Sequence, residues 1–140
     1  MKREIMTEKA ARAFRDYARL GLCPAKSALD TVCKIRGICG DSTLLDMLAV
    51  FDTLRLLEVS GDEIALRAVR DIYFATAKKK PRANEITLRI RRLADEIHCD
   101  DRTVYRHLKK ARDLWYYVRA CEKKQTAGDR SLLTYLLTGK

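Results

Sequence analysis

The sequence predicts an all-α protein, a helical N-terminal bundle followed by a C-terminal helix-turn-helix unit. Two observations carry that fold class. Apolar residues recur three and four positions apart along most of the 140 residues, the spacing that lines one side of a helix. No useful length of chain alternates with a period of two, as a half-buried strand requires. A third observation, 47% apolar content, supplies enough side chains for a real core.

The elements follow in order. Met6, Ala10, Ala13, Phe14 and Tyr17 form a helical stripe that predicts a first helix over residues 4–20. Gly21 follows, and Pro24 suits the opening of a second helix, where its missing N–H is not needed. Ala28, Leu29, Val32 and Ile35 give that helix its inner face, and Gly37 or Gly40 closes it. Ser42 is the expected N-cap of a third helix, LLDMLAVFDTLRLLEV, apolar around much of its circumference. Such a helix is buried on several sides, in its own core or against a second copy of the chain. Ser60 and Gly61 break the pattern, and a fourth helix is expected over residues 63–78 with Ile64, Ala68, Val69, Ile72 and Tyr73 inward.

KKKPRAN (78–84) is the clearest punctuation, because Pro81 disfavours helix at Lys80 and three adjacent lysines repel. Asn84 can cap a fifth helix carrying Ile86, Ile90, Leu93, Ala94 and Ile97 on one face. Asp100 or Asp101 can cap a sixth, running to about residue 122 with Val104, Leu108, Ala111, Trp115 and Val118 inward. Residues 125–130 read as a polar break and LLTYLL (132–137) as a short closing helix before Gly139. The regions are therefore 1–78, a bundle for oligomerisation or protein contact, 79–124, the helix-turn-helix, and 125–140, the closing segment.

Charge singles out the middle region. The chain carries 29 Lys/Arg against 19 Asp/Glu, a net charge of +10. Residues 1–77 hold 12 basic and 11 acidic side chains, whereas residues 78–124 hold 15 and 7, a balance of +8. Concentrated positive charge is the footprint of a phosphate-binding module; the plainer reading is a solvated helix face.

Within that region IRRLADEIHCDDRTVYRHLK (90–109) has helix-turn-helix spacing. Leu93, Ala94 and Ile97 supply the first inner face, Cys99 an apolar plug in the turn, and Val104 and Leu108 the anchors of the second helix. Ala94 lies where the helices cross most closely. Arg102, Thr103, Tyr105, Arg106 and Lys109 are left outward, near the helix N-terminus that would enter a major groove.

Residues 62–120 resemble the C-terminal part of the ArpU-like and RinA-like late transcription activators encoded by phages, whose DNA-binding end is similar to region four of sigma factors. RTVYRHLKKAR is the most specific segment, with AVRDIYF (68–74) a weaker one. Two positions depart from the pattern. His98 stands where glycine is usual, so a side-chain-bearing residue must take a positive φ. An aspartate replaces the usual serine or threonine cap and puts negative charge near the DNA surface. Asp100 and Asp101 are read as structural, a cap carboxylate being occupied by backbone N–H groups and the positive helix end.

The expectation is a sequence-specific duplex-DNA-binding transcription regulator, phage or prophage encoded, without catalytic activity. Arg106 is the expected guanine reader, and Arg102 is grouped with it as a base contact. Thr103 and Tyr105 would meet a thymine methyl or a phosphate. Lys109, Lys110, Arg112, Arg89, Arg91 and Arg92 would hold the backbone, positioning the protein without naming a sequence. The partners expected are double-stranded DNA, a second copy in a homodimer, and RNA polymerase through the first four helices. The alternatives are a sigma-like polymerase-binding protein or the DNA-recognition small subunit of a phage terminase.

Other chemistries lack their signatures. His98, His107 and Cys99 have no paired ligand spacing, so neither metal nor cofactor is expected, and His107 reads as a packed histidine with one hydrogen bond. There is no phosphate-cradling glycine loop or nucleophile motif. Five cysteines, odd in number and irregularly spaced, read as apolar groups in a reducing compartment. With no membrane-length apolar run and no signal-peptide pattern, a cytoplasmic location is expected. Trp115 falls on the core stripe, so packing outweighs base stacking for it.

Overall fold

The computed structural model describes residues 8–22, 41–77, 82 and 84–128, with Asp41 and residues 122–128 described as backbone only. The protein is all-α. Among the described residues the helices are α1 (Lys9–Arg19), α2 (Asp41–Val59), α3 (Glu63–Ala68, continuing as a π-helical segment Val69–Phe74), α4 (Glu85–Glu96) and α5 (Asp101–Gly128), with no strand. The expected second helix, the 132–137 helix, and Cys23, Cys33 and Cys39 lie outside the described residues.

One hydrophobic cluster runs through all five helices. Phe14 and Tyr17 of α1, Met47 and Leu57 of α2, Ile72 and Tyr73 of the π segment, Ile90 and Leu93 of α4, and Leu108 and Trp115 of α5 are all buried. The expected stripe of α5, from Val104 to Val118, is entirely inside. Ring packing ties α1 to the π segment: Phe14 stacks on Tyr73 with centroids 5.6 Å apart, and Tyr17 on Phe74 at 6.0 Å. Both pairs lie in the range where aromatic contacts add to area burial. The later turns of α5 dock on α2, where the Trp115 indole N–H donates to the Asp46 carbonyl at 3.1 Å and Arg119 Nε to the Asp46 carboxylate at 2.7 Å.

Three helices end in the same way. In a Schellman closure the residue past the cap turns left-handed, and two backward hydrogen bonds satisfy the last carbonyls. α1 closes through Gly21 (φ +72°), with Leu22 N–H on Tyr17 and Gly21 N–H on Ala18. α2 closes through Gly61 (φ +76°), with Asp62 N–H on Leu57 and Gly61 N–H on Glu58. α4 closes through His98 (φ +57°), with Cys99 N–H on Ala94 at 2.9 Å and His98 N–H on Asp95 at 3.3 Å. The positive φ expected of His98 is present.

Several sequence expectations change. Ser42 lies inside α2, exposed, and is not the residue before the helix. Ile64 is 38% exposed, and Ala65 is buried in its place. The α-helical part of the fourth element stops at Ala68, where the turn widens and the Ala75 N–H reaches back to Arg70. Asn84 occupies the position before α4 without a side-chain capping bond. Finally, α5 continues as helix to Gly128, through the residues expected to begin a polar break.

Candidate nucleic-acid interface

The site is built on the turn between α4 and α5. Ala94 and Leu93 on α4 meet Val104 and Leu108 on α5, all four at 2% exposure or less, while Cys99 and Ile97 are partly buried against the same core. The small side chain at Ala94 allows that approach. Asp100 caps α5: its Oδ1 accepts from the Thr103 N–H at 2.9 Å and from the Thr103 hydroxyl at 2.8 Å. These two bonds, aided by the charges of Arg102 and Arg106, hold the Asp100 carboxyl below its usual range. The aspartate is thus occupied by its own helix, as a cap should be. Desolvation, with Asp100 and Asp101 adding to it, pushes the Cys99 thiol up.

The ten residues singled out from sequence fall into three groups. Arg92, Arg102, Arg106 and Lys109 are exposed and form no ion pair or hydrogen bond with another described residue. Five more are at the surface but engaged or partly covered. Arg89 pairs with Glu85 at 3.2 Å, Arg91 lies 3.9 Å from Asp101, and Lys110 pairs with Asp62. Thr103 is spent on Asp100, and Tyr105 is half-buried against the core.

Arg112 departs from the surface role expected of it. It is 5% exposed, and its Nη1 donates to the Tyr73 hydroxyl at 2.9 Å while Nε donates to Glu8 at 3.1 Å. The guanidinium joins α5, the π segment and the start of α1 inside the bundle. Helical position explains the difference: Arg112 follows Ala111 on the buried side, next to the stripe of Leu108 and Trp115.

Asp62 is the residue that sequence reasoning did not single out. Its Oδ1 accepts the Ala65 N–H at 3.1 Å, capping α3, and its Oδ2 pairs with Lys110. His107 Nδ1 lies 3.5 Å from Oδ1 and makes no hydrogen bond, unlike the one-bond histidine expected. Burial pushes the Asp62 carboxyl up, but the Lys110 bond, the Ala65 bond and the charges of Lys110 and His107 together bring it below its ordinary value. The clue in the sequence was an aspartate one residue before a helix. Its pairing across 48 positions left no local trace.

Among the described residues no helix is long and apolar enough to cross a membrane, and no group of His, Cys, Asp or Glu could hold a metal ion. Comparison with protein-family models, with curated proteins and with solved structures returns no match.

Proposed function

We propose that the protein is a sequence-specific duplex-DNA-binding transcription regulator acting through the α4–α5 turn. The observation that carries this reading is a set of exposed cations on two adjoining helices that form no ion pair or hydrogen bond with another described residue: Arg102, Arg106 and Lys109 on the first turns of α5, and Arg92 on α4. A cation that must first leave a carboxylate is at a disadvantage in meeting a phosphate, and these four have no such partner among the described residues. In this reading the start of α5 enters the major groove, and Arg106 makes a bidentate contact to guanine with Arg102 beside it. Lys109 and Arg92 hold phosphates. Arg112 has no part in the interface. The resemblance of RTVYRHLKKAR to phage late activators supports the same assignment.

Self-association and contact with RNA polymerase belong to this reading too. A two-fold dimer on a two-half-site operator would use the apolar surface left at the end of α2, where Leu56 is 46% and Val59 78% exposed.

The test is a binding titration on the best duplex selected from a random pool. Replacing Arg102 and Arg106 with alanine should weaken binding by about 1–3 kcal/mol for each base-reading side chain removed, and flatten the sequence preference. A double variant that binds the selected duplex as tightly as the parent removes the assignment.

A further inference from the structure

Lys110 stands on α5 one residue beyond Lys109, within the region whose charge balance is +8, yet it differs from its neighbour. Its ammonium is paired with Asp62, whose side chain is only 10% exposed while the lysine's is 57% exposed. The pair is therefore unequal. Lys110 could swing into water at little cost, but Asp62 cannot follow it. A lysine leaving to meet a phosphate would leave the partly covered Asp62 carboxylate with the Ala65 N–H and His107 but without its cation, which costs it stabilisation. His107, on the same face one turn earlier, is held 3.5 Å from the same carboxylate. Asp62 comes from the α2–α3 turn, outside the α4–α5 pair, and its position is fixed by the cap it makes on Ala65. It takes no part in the α4–α5 packing.

We propose that Asp62 withholds Lys110 from DNA phosphates, and so lowers the phosphate-driven affinity for duplex of any sequence. The inference rests on the DNA-binding reading above. Sequence-independent affinity comes almost wholly from phosphate neutralisation, whereas base contacts from Arg102 and Arg106 add only at the right site. Removing one potential phosphate contact weakens binding to every duplex, the selected site included, and leaves the base contacts as they are.

The experiment measures affinity for a random-sequence duplex and for the selected duplex across a salt series, with the full chain. Asp62→Asn keeps a good capping side chain and removes the charge. It should steepen the slope of log affinity against log salt by about 0.9, the value for one added phosphate contact, equivalent to about fivefold tighter random-duplex binding near 0.15 M salt. Lys110→Gln in the parent should leave the slope unchanged, and adding it to Asp62→Asn should restore the parental slope. The reversal separates charge release from a general loosening of the fold. If Asp62→Asn fails to fold, Lys110→Gln alone decides: a slope shallower by about 0.9 means that Lys110 already contacts phosphate, and the proposal falls. An unchanged slope in a folded Asp62→Asn also overturns it. Both outcomes differ from failure of the DNA-binding reading, in which the parent shows no salt-dependent binding to either duplex and the inference goes with it.

Discussion

Arg112 gives the sharpest test of the packing described above, because it separates a structural cation from its displayed neighbours. Replacing it with methionine keeps much of the stem's volume and removes the guanidinium. The Tyr73 hydroxyl, fully buried, is then left without its charged donor, and a hydrogen bond to a charged group contributes about 1.5–3 kcal/mol. Glu8, 32% exposed, can turn to water, so its release adds less than about 1 kcal/mol. Against both stands the relief of no longer burying a cation, which by itself favours the variant. The expected net destabilisation is about 2 kcal/mol, read as a lower urea midpoint with an unchanged slope of unfolding free energy against urea. Tyr73→Phe should cost about 1–3 kcal/mol by leaving the guanidinium a partner short. The double variant should be destabilised by less than the two single effects added, since each removes the other's partner. A methionine variant as stable as the parent within about 0.5 kcal/mol would refute the reasoning. So would one that stays folded and yet binds random duplex with a shallower salt slope, since that would return Arg112 to the surface.

Three further outcomes follow from the backbone and from the buried phenol. His98→Gly should leave stability level or raise it by up to about 1 kcal/mol, relief of the positive φ being partly offset by glycine's freer unfolded chain. Gly61→Ala, in open space but at φ +76°, should destabilise by about 1 kcal/mol; the opposite order of the two variants by thermal melting would contradict the shared closure. Burial raises the Tyr73 phenol to about 12, against the charge and hydrogen bond of Arg112. Since the folded value lies above the unfolded value of about 10, its contribution is complete below pH 10 and disappears as pH rises toward 12, in all about 3 kcal/mol. Ultraviolet phenolate absorbance should show late ionisation, with unfolding, that Tyr73→Phe diminishes; all tyrosines titrating together near 10 would exclude it.

What could be read in advance follows from how local each signal is. The buried faces of α4 and α5 were legible because helical spacing is written in consecutive residues, and Leu93, Ala94, Val104 and Leu108 are all inside. The Asp100 cap and the strained His98 turn were legible for the same reason: both depend on residues within four positions. Arg112 was misplaced because charge alone does not say which cations a distant tyrosine and glutamate will claim, and its partners lie 39 and 104 positions away. The widened turn at Val69–Phe74 has no one-residue signature either. It accompanies contacts from outside the element, Phe14 on Tyr73 and the Arg15 guanidinium donating to the Thr76 carbonyl at 3.0 Å.

The length of α5 has a mechanical consequence. Twenty-eight residues at 1.5 Å each make an unbroken rod of roughly 42 Å, whose leading turns carry Arg102 and Arg106 and whose middle turns are clamped by Trp115 and Arg119 on α2. With no proline or glycine between Asp101 and Ala127, the rod has no built-in joint. The angle at which its tip meets a target is set by the body that grips its shaft.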